Sequence, residues 1–161
     1  MKRSQTLEVD SSPAEGPVIV MRRTFDAPRE VVWAALTDPR HVAEWYGGRG
    51  FTSPVCEMDV RPGGRWRHVM RTPEGHEFAM TFIFLEVVAP EKLAWESAEH
   101  TGGPHDNVTT VTLETVGDQT KWTLVTRFRS FADREAARKI GFAEILAEGT
   151  DKVDEILRRI S

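Results

Sequence analysis

Between residues 65 and 128 the apolar side chains tend to recur at every second position, and from residue 142 they recur at helical spacing. A chain of this kind must bury one greasy sheet face and one greasy helix stripe together. In residues 65–71, Arg65, Arg67 and Arg71 share one face while Trp66, His68 and Met70 share the other. Residues 76–88 align Phe78, Met80, Phe82 and Phe84 on one face. Shorter strand patterns follow around Trp95, over 107–116 and over 121–128, with Trp122 and Leu124 on the apolar side. Turn signals separate them at Pro73-Glu74-Gly75, Pro90-Glu91 and Gly117-Asp118. With a strand at 18–25, the pattern predicts six to seven strands, nearly all antiparallel neighbours.

The last segment changes period. Phe142, Ile145, Leu146, Gly149, Val153, Ile156, Leu157 and Ile160 form one stripe, whereas Ala136, Ala137 and Ile140 fall on another face. The spacing predicts a helix over 133–160, about 40 Å long at about 1.5 Å per residue, with a bend or break near Gly141. Ser130, followed three residues later by Asp133, is its capping signal.

Two short helices are predicted between the first two strands. Asp26 or Ala27 caps the first, whose opening turn holds Pro28, and Val31, Val32, Ala35 and Leu36 give it an apolar face. Asp38-Pro39 starts the second, and Gly47-Gly48 stops it after Trp45. Neither is long enough to stand alone, so both must pack on the sheet and the long helix. Arg61-Pro62-Gly63-Gly64 reads as a turn or bulge. It lacks the phosphate-loop pattern, and the strand that follows argues against a phosphate site at a helix N-terminus. The resulting class is α+β, a curved antiparallel sheet closed around a long C-terminal helix. A curved sheet and a nearly straight helix leave space between them, and here the walls would be aromatic and Met-rich.

At 161 residues the chain is one domain, taken as 17–161 behind a polar tail, 1–16, expected to be disordered. The tail lacks the apolar stretch of a signal peptide. The net charge of −4 argues against a nucleic-acid partner, and no apolar run reaches membrane-spanning length. Cys56 is the single cysteine, which excludes an intramolecular disulfide and fits a cytoplasmic protein. No cation neighbours it in sequence, so it reads as a small core residue rather than a nucleophile.

No residue set forms a committed catalytic machine, and no cofactor motif is present. His68, between Trp66 and Met70 on the inward face, is the candidate acid–base group; a hydrogen-bonded core histidine is the simpler reading. Arg127 and Arg129 could meet an anionic head group, though such arginines are more often solvated or paired. Glu99, His100, His105 and Asp106 flank one loop, but their spacing matches no metal motif, so no metal is expected. Trp45, Tyr46 and Phe51 border Gly47-Gly48-Arg49-Gly50, which either gates a cavity or staples the helix pair to the sheet.

The series Phe25-Asp26-Ala27-Pro28, Val31-Val32-Trp33, Thr37-Asp38-Pro39, Trp45, Arg61-Pro62-Gly63-Gly64, Gly75 and 86–93, followed by the terminal helix, resembles a known group. It is similar to the single-domain bacterial relatives of the C-terminal domain of the heat-shock-protein-90 ATPase activator, within the START-like, birch-pollen-allergen (Bet v) superfamily. The resemblance covers residues 18–160. It implies a helix-grip fold with a hydrophobic cavity and, commonly, no known reaction. Many members carry Gly-Trp in the last helix, where this chain has Gly149-Thr150; facing the cavity, a Trp-to-Thr change makes the pocket larger or differently shaped, and facing the rim it means little.

The expected function is binding of a small hydrophobic or amphipathic molecule. Its cavity would be lined by Tyr46, Phe51, Trp66, His68, Met70, Phe78, Met80, Phe82, Trp95, Phe142, Ile145, Leu146 and Gly149. Two alternatives stand beside it. One is a cyclase- or hydrolase-like enzyme using His68, with Glu99 as its partner. The other is a chaperone-associated or stress-regulatory protein acting through its surface, by analogy with the activator. The resemblance also allows a homodimer.

Overall fold

A computed structural model describes residues 8–10, 16–100 and 107–160, without the side chains of 8–10, 99 and 100. Eight strands form one antiparallel sheet: β1 (Glu8–Asp10), β2 (Val18–Phe25), β3 (Thr52–Met58), β4 (Arg65–Arg71), β5 (Glu77–Val88), β6 (Lys92–His100), β7 (Val108–Val116) and β8 (Gln119–Arg127). Their order across the sheet is β1-β2-β8-β7-β6-β5-β4-β3. Helices α1 (Arg29–Thr37) and α2 (Pro39–Trp45) lie between β2 and β3, and α3 (Phe131–Lys139) and α4 (Phe142–Ile160) end the chain. The α+β class, the helix pair and the long terminal helix are those predicted.

The eighth strand is the difference. Glu8–Asp10 pairs with Val20 to Arg22 of β2, inside the segment read as a disordered tail. Three residues carry no periodicity, so the sequence alone gives no strand signal there. The pairing supplies partners for backbone groups that β2 would otherwise present at a sheet edge.

Alternation sets the core. Along β8, Thr120, Trp122, Leu124 and Thr126 are buried while Lys121 and Arg127 are exposed. Val153, Ile156 and Leu157 of α4 share one apolar cluster with Met21, Phe25, Trp66, Phe82, Phe84, Trp95 and Trp122 of the sheet. The α4 stripe thus lies on the concave sheet face, and α1 and α2 close one end through Val32, Leu36, Val42 and Trp45.

The terminal helix breaks at Gly141, whose φ of 85° lies in the left-handed region that glycine enters freely. Each segment then aims its own apolar face. Ala137 of α3 packs with Ile19 and Phe128, and Phe142 closes on Phe128 edge-to-face at 5.5 Å. Arg134 of α3 is buried and donates from Nε to the Val18 carbonyl at 2.9 Å. Ser130 caps α3 by accepting from the Asp133 N–H at 3.1 Å. Ser130→Ala is expected to cost about 1 kcal/mol, read as a lower denaturation midpoint at unchanged slope.

The first helix starts differently from its prediction. Pro28 itself is the N-cap and no side chain caps α1; Val31 and Val32 donate to the Pro28 carbonyl. Asp38 caps α2 as predicted, accepting from the Arg40 N–H at 2.9 Å. The Arg40 side chain bonded to it holds the Asp38 carboxyl down at about 2. Among the described residues, no helix is long and apolar enough to cross a membrane.

Candidate functional site

A cavity of about 400 Å³ lies between the concave sheet face, the C-terminal end of α2 and the first half of α4. Local sequence builds its α2 wall. Trp45 closes α2 onto α1 by donating from Nε1 to the Ala35 carbonyl at 2.9 Å, and it meets Trp122 edge-on at 5.9 Å. The chain then crosses α4 at Gly149, where a Cβ would stand only 2.8 Å from the Trp45 carbonyl oxygen. Gly47 follows at φ 113°, tight against Met70 and Phe51.

Polar contacts fasten this glycine-rich loop to α4. The Arg49 N–H donates to Glu148 at 2.9 Å, the Arg49 guanidinium pairs with Glu155 at 2.6 Å, and Lys152 Nζ donates to the Gly48 carbonyl at 3.1 Å. Trp45, Tyr46 and Phe51 all line the cavity, so the loop forms part of the wall and is anchored to the long helix.

Of the residues predicted to line a cavity, Tyr46, Phe51, Met70, Phe78, Met80, Phe82, Trp95, Phe142, Ile145, Leu146 and Gly149 do so. Trp66 and His68 do not: they are 2% and 1% exposed and belong to the packed core. The correction follows from α2, whose last turn sets Tyr46 over the inward face of β4. The Tyr46 ring lies 4.9 Å from Trp66 and 5.0 Å from His68, centroid to centroid.

The surroundings of His68 also define its chemistry. Trp66 Nε1–H donates to Nδ1 at 3.1 Å, so the neutral ring carries its proton on Nε2 and donates it to Ser53 Oγ at 2.9 Å. Burial lowers the His68 pKa to about 4, which keeps the ring neutral at pH 7. In this tautomer Nε2 has no lone pair with which to take a proton from Ser53. The pair therefore lacks the arrangement of a nucleophile and its base, and the histidine is a satisfied core group.

The wall also contains Trp45, Gly47, Thr72, Asn107, Thr109, Leu124, Thr126 and Ile140, which were not among the predicted lining residues. Thr109 and Thr126 face each other across β7 and β8, with their hydroxyls 2.9 Å apart. Extending the alternation of Trp122 and Leu124 by two residues would have found Thr126. Thr150 is buried but is not part of the wall; it bonds the Ala147 carbonyl at 2.9 Å and Arg23 at 3.1 Å. Thr150 thus faces Arg23 of β2 and not the cavity.

Arg129 pairs with Asp133, and Arg127 is exposed on the convex side of β8. The side chains of Glu99 and His100, together with His105 and Asp106, lie outside the described residues. Among the described residues, no three His, Cys, Asp or Glu side chains group in a way that could hold a metal. Burial pushes the Cys56 thiol up to about 11, the opposite of an activated nucleophile.

Solved structures share this architecture. A solution structure of a protein from Arthrobacter aurescens is similar at 26% identity and a TM-score of 0.84, covering 94% of this chain and 91% of that one. Crystal structures of proteins from Rhodobacter sphaeroides and Nitrosomonas europaea show the same fold at TM-scores of 0.84 and 0.81 and identities of 22% and 24%. The first covers 97% of this chain and 100% of its own, the second 88% and 94%. No functionally curated protein matches the chain. The family model described as "Activator of Hsp90 ATPase homolog 1-like protein" matches residues 26–158. With the curved sheet, the helix pair and the long terminal helix all in place, the chain belongs to that family.

Proposed function

We propose that the protein binds a small hydrophobic or amphipathic molecule in the cavity between the sheet and α4. The observation that carries this reading is the wall itself: about 400 Å³ bounded by Trp45, Tyr46, Phe51, Phe78, Phe82, Trp95 and Phe142, with Met70 and Met80 among them. That volume falls in the range of small-molecule sites. Aromatic rings and flexible thioethers offer large apolar area and adapt to an irregular guest. Phe78 and Ile140, 37% and 58% exposed, line the cavity and also reach the surface, which places a rim of apolar side chains at its opening.

The test is a thermal-shift screen of lipids, sterols and aromatic compounds, followed by native mass spectrometry of the hits. Leu146→Trp puts an indole into the wall at a partly buried position on the margin of the core. Hits should raise the melting temperature of the natural protein, while the variant stays folded and binds at least about tenfold more weakly. If the hits bind Leu146→Trp as tightly as the natural protein, the cavity is not the binding site.

A further inference from the structure

Among the described residues, the cavity wall contains no Asp, Glu, Lys, Arg or His. A charged guest held inside it would lose its hydration and meet no countercharge, a large penalty in apolar surroundings. The wall does contain hydrogen-bond donors. Tyr46 Oη has no hydrogen-bond partner among the described residues, and its ring is fixed by Trp45, Trp66 and Phe82. Burial raises the Tyr46 pKa, so the phenol keeps its proton. On the β7–β8 side, Thr109 and Thr126 share one hydrogen bond between two hydroxyls. One of their two protons closes that bond, and the other remains available to a guest. Both threonines are buried and both line the cavity.

Resting on the cavity reading above, we propose that the guest is a neutral molecule with a carbonyl-type hydrogen-bond acceptor, received by Tyr46 Oη, with the Thr109–Thr126 hydroxyl pair as a second donor site on the other wall. A guest that displaces water from this half-buried phenol leaves it without an acceptor, a cost that a ketone, ester or amide oxygen relieves. A pure hydrocarbon leaves it unrelieved. A carboxylate could accept the same bond but would bring an uncompensated charge into the apolar wall.

Four compounds on one naphthalene skeleton separate the cases: the hydrocarbon, its methyl ketone, its carboxylate and its aminomethyl cation. Titration calorimetry gives the four affinities. The ketone should bind about fivefold to tenfold more tightly than the hydrocarbon, the scale of one neutral hydrogen bond. The two ions should bind at least about tenfold more weakly than the ketone. Tyr46→Phe should bring the ketone to the level of the hydrocarbon and leave the hydrocarbon unchanged. Tyr46 is the only tyrosine in the chain, so carbon-13 labelling at the phenol carbon gives one resonance, which should shift with the ketone more than with the hydrocarbon. Equal affinities for ketone and hydrocarbon, a carboxylate that matches the ketone, or a ketone affinity unmoved by Tyr46→Phe would overturn the proposal and leave the cavity reading standing. Failure of all four to bind the folded protein would remove both.

Discussion

Acidification from pH 6.5 towards 4 is expected to remove about 3 kcal/mol of folding stability through His68 alone. In the unfolded chain this imidazole takes up a proton near the ordinary 6.5; in the folded protein, burial delays protonation to about 4. Between those values the unfolded state binds more protons, so stability falls as pH falls. It is fully present above the upper value, and the loss from this group ends below the lower one. Ser53 and Trp66 hold the ring through hydrogen bonds suited to its neutral form, and Tyr46 covers it with no anion in contact among the described residues. Asp38, held near 2, loses its contribution only below its ordinary 3.8 and stays outside the window. Urea melts across this pH range measure the slope. The slope should flatten in His68→Gln, whatever that variant does to stability at pH 7. A slope that survives the substitution would assign the effect to other groups.

The second large effect is expected from one methyl group. In Gly64→Ala the new Cβ would collide with the backbone carbonyl of Asp59 and crowd that of Arg61. Neither can move cheaply. Gly64 N–H already donates to the Arg61 carbonyl at 2.8 Å, and the Phe84 N–H donates to the Gly64 carbonyl at 2.9 Å. The Gly63 N–H donates in turn to the Phe84 carbonyl at 2.7 Å, so the turn between β3 and β4 is closed on itself and tied to β5, and forcing it open should cost about 3 kcal/mol or more. The neighbouring glycine is the control. At Gly63 a Cβ meets nothing within 4 Å, but φ is 82°. Gly63→Ala should therefore cost only the left-handed penalty of about 1–2 kcal/mol. Chemical denaturation of both variants ranks them; a Gly64→Ala protein as stable as Gly63→Ala would refute the collision argument.

Period and punctuation made most of the fold legible in the sequence. The alternation of Phe78, Met80, Phe82 and Phe84, the stripe from Phe142 to Ile160 and the break at Gly141 are all direct consequences of burying one face. The cap at Asp38 was legible because a short carboxylate before proline has one main structural use. The start of α1 was not, because Pro28 can act as the N-cap without help from Asp26. β1 was invisible because its order comes from the β2 edge and from nothing within Glu8–Asp10.

The site divides along the same line. Alternation reports which face a residue takes, but it does not report whether that face meets a void or another side chain. Trp66, His68 and Met70 share the inward face of β4, yet Met70 reaches the cavity while Trp66 and His68 lie in the packed core with Tyr46 against them. Tyr46 owes that position to the close approach of α2 and α4 at Gly149, a contact between segments far apart in sequence.

The place of β2 in the sheet bears on how the protein comes into being. Val18 to Phe25 pair with Thr120 to Arg127, joining the second strand to the last. This closure carries the loop entropy of most of the chain, so assembly is expected to be slow relative to a helical bundle of equal length. During synthesis β2 waits for its β8 partner until the rest of the sheet has left the ribosome. Until then the interior faces water, and α4, the helix that fills it, is made only after the last strand of the sheet.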